Sequence, residues 1–285
     1  MSIKQHIKPL AGIVAAAGLA LALTACGGNS GATTAAASSS AASDNVITVG
    51  ASPSPHAEIL EAIKPELEAQ GYELKVVEYS DYVQPNVALS EGDLDANYFQ
   101  HLPYLENYNT ENGTDLASAG AIHFEPMGLY AGKSSDITNM PDGAKIAVPS
   151  DATNEARALL LLQDQGVIKL TDGVGLEATA NDIVENPRNV ELVEVEAAAV
   201  PRSLQDADFG VINGNYALSA GLDTSATLAS EGADSEAAQT YANIIAVRNG
   251  DEDSEKTQAL LKALTSDTAR KFIEDTYKGS VIPVF

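Results

Sequence analysis

One cysteine, Cys26, is all that the chain contains, so no disulfide can form within it. A fold from this sequence must be held by its hydrophobic core, and that demands length. The first strand-like run is Ile47-Thr48-Val49, and about 240 residues follow to the end at Phe285. That suffices for one large domain or for two lobes. The stretch alternates strands and helices. Val46–Ala51 reads as a strand, and Ser54-Pro55 then opens a helix with Ile59, Leu60, Ile63 and Leu67 at helical spacing. Pro65 is expected to kink or shorten this helix, and Gly71 to end it. Leu74–Val77, Leu94–Tyr98, Lys145–Val148, Phe209–Ile212 and Ile244–Val247 read as further strands. An extended stretch runs Ala121–Tyr130, and Val190–Val195 alternates like a half-exposed strand. Helices are expected around Val83–Ser90, from Pro103, over Thr153–Asp164, at Val200–Leu204 and twice between Ser254 and Thr276. Such alternation points to α/β architecture with mostly parallel sheets.

Cys26 follows an apolar run in the tetrapeptide Leu23-Thr24-Ala25-Cys26. Lys4 and Lys8 lead, and no charge interrupts Pro9–Ala25. A basic start, an apolar middle and small residues before a cut site make a secretory signal peptide over residues 1–25. These 17 uncharged residues are short for a membrane span, which takes about 20. A cysteine at the first mature position resembles the lipobox of bacterial lipoproteins, in which the thiol carries a diacylglycerol. Residues 26–45, almost wholly Gly, Ala, Ser, Thr and Asn, have no large apolar side chains and read as a flexible tether. Removing the signal takes Lys4 and Lys8 with it and leaves 14 basic against 40 acidic residues, a net charge of −26. That surface repels nucleic-acid phosphates and anionic headgroups, so no nucleic acid partner is expected.

Catalytic signatures are missing. The sequence has no GxSxG, HExxH, CxxC or P-loop, and Gly173-Val174-Gly175 lacks the third, helix-opening glycine of a dinucleotide site. An EF-hand counted from Asp251 would need Gly and Glu where Lys256 and Lys262 stand. His56, His101 and His123 remain after signal removal, and His123-Phe124-Glu125 sets two donors on one side of a strand. Neither a close pair spacing nor a cysteine supports a closed metal site, so no metal or cofactor is expected. Aromatic residues are only 5% of the chain, yet Tyr82, Tyr98, Phe99 and Tyr104 fall within about 25 residues. Asn97, Gln100 and His101 are interleaved with these rings. Buried polar groups need partners, and aromatic walls with a few polar handles suit a ligand pocket better than a plain core.

At these residues the chain resembles the methionine-binding lipoproteins, the substrate-binding subunits of methionine ABC importers. The resemblance runs through Asp81–Asn86, Leu94–Tyr104, His123–Gly128, Ala147–Arg157, Pro201–Leu204, Val211–Ala217 and Tyr241–Ile245, and ends at Gly279–Phe285. It implies a periplasmic-binding-protein fold of two α/β lobes joined by crossover strands, with the ligand in the cleft. Residues 46–128 and 243–285 would form one lobe and 129–242 the other. Residue by residue, Tyr82, Phe99, His101 and Tyr104 match the positions that wrap the methionine side chain. Arg157 matches the arginine on the carboxylate, and Asn213 and Asn243 match the asparagines on the polar end. The implied partners are methionine or a related amino acid, an importer permease with its ATPase, and a membrane reached through the Cys26 lipid. A binding lipoprotein for another amino acid or a short peptide is the alternative, and no enzymatic turnover is implied. Ser235–Thr240 departs from the pattern by being longer and more polar.

The chemistry agrees with that assignment. Methionine is a zwitterion with a polarisable tail, a guanidinium fork can hold a carboxylate bidentately, and an Asn oxygen can accept from an ammonium.

Overall fold

The computed structural model describes residues 45–233 and 239–285. The signal segment 1–25, Cys26, the tether as far as residue 44, and most of the polar stretch 235–240 lie outside the described residues. The chain divides into two units, Met1–Ser43 and Asp44–Phe285, and every described residue belongs to the second. The main elements run β1 (Val46–Ala51), α1 (Glu58–Ala69), β2 (Glu73–Glu78), α2 (Gln84–Glu91), β3 (Ala96–His101), α3 (Leu102–Asn112) and β4 (Leu116–Phe124). They continue with β5 (Gly128–Ala131), β6 (Lys145–Pro149), α4 (Ala152–Asp164), β7 (Glu191–Val195), β8 (Phe209–Ile212), α5 (Gly214–Ser219) and β9 (Ala229–Ser230). The chain closes with β10 (Asn243–Arg248), α6 (Glu255–Leu264), α7 (Asp267–Tyr277) and β11 (Ile282–Pro283).

These strands build two larger sheets, ordered β11-β4-β10-β3-β1-β2 and β9-β5-β8-β6-β7. The expected parallel pairing holds only for β2-β1-β3 and for β8-β6-β7. The remaining pairings are antiparallel. The difference has a simple cause. A parallel neighbour needs a crossover of a dozen or more residues, usually a helix. The chain instead leaves β4 in the first sheet and reaches β5 in the second through only Glu125-Pro126-Met127, and β10 returns to the first sheet from the second.

Helices cover both sheets. Ile59, Leu60, Ile63 and Leu67 of α1 are fully buried against β1 residues Ile47 and Val49 and against Leu260 and Ile273 of α6 and α7. Each such side chain contributes about 1.5–3 kcal/mol on burial. On the second sheet, Leu159 and Leu162 of α4 pack with Ile146, Val148, Phe209 and Val211. Helix α1 differs from its sequence expectation at both points of detail. Ser54 is extended (φ −132°, ψ 138°) and Ala57 N–H bonds the Ser52 carbonyl at 3.0 Å, so a wide turn precedes the α-helix proper. Pro65 sits inside an unbroken helix, because it and Glu61, whose carbonyl loses a donor, both face solvent.

Strand β3 extends three residues beyond the expected Leu94–Tyr98, and all six of its residues are buried. Its polar members are satisfied by an amide cluster. Asn86 of α2 exchanges bonds with Gln100 (2.9 and 2.7 Å), and Asn97 bonds Asn86 at 2.8 Å. Asn97 is therefore not a pocket handle. It fastens α2 to β3, and α2 carries the Tyr82 loop at its start.

Candidate ligand-binding site

Strand β10 lies between β3 and β4, and the register sets Asn243 opposite His101 on one side and His123 on the other. Next to this row lies a narrow, partly open cavity. All seven residues singled out in the sequence line it: Tyr82, Phe99, His101, Tyr104, Arg157, Asn213 and Asn243. Gln100, Glu125, Asn154, Gly214 and Asn215 complete the lining. Sequence reasoning left out Asn154 and Asn215 as site residues, although each sits at a strand-to-helix junction where polar side chains gather at helix starts.

One wall is aromatic. The Tyr82 ring lies 5.7 Å from both Phe99 and Tyr104 and 4.8 Å from Tyr216. Tyr104 is presented by the first turn of α3, capped by His101, whose Nδ1 accepts from Tyr104 N–H at 3.2 Å. The Tyr104 hydroxyl donates to the Tyr82 carbonyl at 3.0 Å, and the Tyr82 hydroxyl donates to Asn215 Oδ1 at 2.5 Å. Burial pushes the Tyr82 hydroxyl well above its usual range, so it stays neutral.

The other wall is polar and centres on Arg157. Its Nε and Nη2 donate to the two carboxylate oxygens of Glu231 at 2.7 and 2.5 Å, and Nη2 also bonds the Glu125 carbonyl at 2.8 Å. Its guanidinium lies over the Tyr241 ring, 4.5 Å from the centroid. The bidentate edge expected to take a ligand carboxylate thus holds Glu231. Among the described residues Nη1 makes no hydrogen bond, and Arg157 lines both this cavity and a neighbouring one shared with Leu160, Glu231 and Tyr241. Glu231 lies 74 residues from Arg157, and no local pattern announces the pair.

Around Arg157 the amides interlock. Asp151 caps α4 by accepting from Asn154 N–H at 3.0 Å and from Asn154 Nδ2 at 2.8 Å. Asn154 Oδ1 then accepts from Asn213 Nδ2 at 2.8 Å and from His101 Nε2 at 3.3 Å. Burial, with the Arg157 charge second, brings His101 down to about 3. On two lining residues, Asn213 Oδ1 and Asn215 Nδ2 are buried with no partner. Gly214 between them has no room for a side chain, since a Cβ there would lie 2.7 Å from Glu125 Cβ.

Beyond Asn243 lies a buried group of His56, His123 and Glu125. His123 Nε2 meets Glu125 Oε1 at 2.7 Å, and its Nδ1 bonds the Tyr98 hydroxyl. His56 Nε2 is 2.9 Å from Asn243 Oδ1 and 3.4 Å from Glu125 Oε1. The close His123–Glu125 and His56–Asn243 separations are those of hydrogen bonds in which both Nε2 atoms donate, while His56 Nδ1 stays buried without a partner. Burial raises Glu125 above the usual carboxylate range, and nearby His56 and Arg157 pull it the other way. Held by His56 through its oxygen, Asn243 turns its Nδ2 away from this group.

Comparison with known proteins identifies the class. The architecture is that of substrate-binding lipoproteins of the periplasmic-binding fold. A lipoprotein from Ruminococcus gnavus is 57% identical and superimposes with a TM-score of 0.84, over 85% of this chain and 100% of that one. A nutrient binding protein from Burkholderia cenocepacia, solved bound to methionine, is 45% identical with a TM-score of 0.80, over 84% and 100%. The chain belongs to the NlpA lipoprotein family, whose model matches residues 47–285. It is also 40% identical to the methionine-binding lipoprotein MetQ of Bacillus subtilis over 267 residues, 92% of this chain and 93% of that protein.

Proposed function

We propose that the protein is the lipid-anchored substrate-binding component of an ABC-type importer and that its ligand is methionine. The observation that carries this reading is one cavity lined by an aromatic wall, by Arg157, and by Asn213 and Asn215, each with a buried amide atom that has no partner. The name of the Bacillus subtilis relative and the methionine bound to the Burkholderia cenocepacia relative support the choice of ligand. Tyr82, Phe99 and Tyr104 would hold the thioether tail, each ring contact with sulfur contributing about 0.3–1.5 kcal/mol. Arg157 Nη1 would take one carboxylate oxygen end-on, with Glu231 fixing the guanidinium behind it. Asn213 and Asn243 would hold the polar end. His101 is spent on the scaffold through both ring nitrogens, which supports a binding role without turnover.

The segments 46–128 and 243–285 would form one lobe and 129–242 the other, closing over the ligand before docking on a permease and its ATPase. Cys26 would carry the lipid, with the tether holding the domain near its transporter at raised effective concentration. A Cys26→Ala protein is expected in the soluble fraction of the producing cell; its retention in membranes would count against the anchor. Calorimetric titration tests the ligand. L-Methionine is expected to bind at micromolar or tighter, roughly 8 kcal/mol or more, and at least 10-fold tighter than leucine, which lacks the sulfur. Equal affinity for the two, or no heat with methionine, would reject the assignment.

A further inference from the structure

The amides around Arg157 are not free to turn, and their orientation has a chemical consequence. An ionised carboxylate only accepts, so Asp151 fixes Asn154 with its Nδ2 toward the cap and its Oδ1 facing away. His101 agrees from the opposite side. Its Nδ1 accepts a backbone N–H, so the neutral ring carries its proton on Nε2 and donates it to the same Asn154 oxygen. That oxygen takes Asn213 Nδ2 at 2.8 Å, which leaves Asn213 Oδ1 buried and unpartnered on a residue that lines the cavity. Asn154 itself is 1% exposed and has both ends of its amide engaged, so its part is indirect.

We infer that Asp151, Asn154 and His101 are positioning residues that lock the Asn213 amide with its oxygen toward the ligand. The site thereby selects compounds bearing a protonated amino group at that point. This rests on the amino-acid-binding reading above. A fixed acceptor cannot serve a ligand lacking the ammonium, because a buried oxygen would stay without a donor. A rotating amide could present its NH₂ instead and would discriminate little.

The test is a set of titrations with L-methionine, with its des-amino analogue 4-(methylthio)butanoic acid, and with methioninol, which lacks the carboxylate. The wild type is expected to bind the des-amino acid roughly 10- to 100-fold more weakly than methionine. In Asn154→Ala the Asn213 amide is released, and this ratio is expected to fall to within a few-fold of one. The penalty for methioninol should stay as in the wild type. If Asn154→Ala does not fold, Asn213→Leu serves: methionine should weaken by 10-fold or more while the des-amino acid changes little. A ratio unchanged in Asn154→Ala, or an equal loss for both ligands in Asn213→Leu, would overturn the inference while leaving methionine binding intact. A wild type that binds none of the three would overturn the amino-acid reading, and this inference with it.

Discussion

Arg157→Ala is expected to abolish methionine binding and to lower the melting temperature by on the order of 10 °C. Two separate losses are involved. The cavity loses its cationic side chain, and the ligand carboxylate would be desolvated without a charge partner. The fold loses the partner of Glu231, which is almost fully buried and would keep only the Met127 N–H. Breaking a buried ion pair by removing one member costs about 3–5 kcal/mol, and a domain of this size shifts by about 2–4 °C per kcal/mol. Replacing both members with apolar residues is often neutral or stabilising. The double variant Arg157→Met, Glu231→Leu should therefore recover most of the melting temperature and none of the binding. Calorimetry and thermal denaturation on the two variants separate the roles. Methionine affinity surviving in Arg157→Ala would remove Arg157 from the site.

The second large effect is acid destabilisation. Burial lowers His56 to about 4, and His101 and His123 to about 3. An unfolded histidine titrates near 6.5. Below pH 6.5 the unfolded chain therefore takes up protons that the native state refuses. The stability held by these three neutral rings is complete above pH 6.5 and is lost as pH falls toward 4 for His56 and 3 for the others. Each contributes a slope of about 1.4 kcal/mol per pH unit. Glu125 works in the opposite sense, since its raised value lets the native state gain a proton first. Asp151 and Glu155, also raised by burial, oppose in the same way, and the net expectation is a fall in stability between pH 6 and 4.5. Melting temperatures across pH 7.5–4.5 should drop steadily, and the three ring resonances should not titrate between pH 5 and 8. A flat melting profile, or a ring titrating near 6.5, would contradict the buried neutral network.

Elements with a clear period were legible before the structure. Strand β1, the apolar face of α1 and the helix α4 fall where their spacing puts them, because burial on one face leaves a regular mark. Strand β3 was misplaced toward its N-terminal side because it is buried on all faces and carries Asn97 and Gln100. Only the partner Asn86, on a different element, explains how these amides enter a core. The antiparallel strands could not be seen, since pairing direction depends on which sheet the chain enters next. The two- and three-residue strands at Lys169–Leu170 and Ile183–Glu185 are too short to show any period.

The site divides similarly. Seven residues named through a family resemblance line one cavity. Asn154 and Asn215 stood within quoted motifs, yet nothing local told which of their atoms would lack partners. The Arg157–Glu231 pair reverses a simple expectation about the guanidinium fork and could be found only in three dimensions. His56, His123 and Glu125 looked like scattered metal donors in sequence. Register and the Glu125 carboxylate turn them into a hydrogen-bonded block behind Asn243.

The most direct measurement is the identity of the ligand that the protein carries. The protein would be purified without added amino acids and denatured, and the released small molecule identified by mass spectrometry and chiral chromatography. Methionine released at close to one per chain is the expected result. Release of a different compound in that proportion, with methionine unable to displace it, would contradict the account.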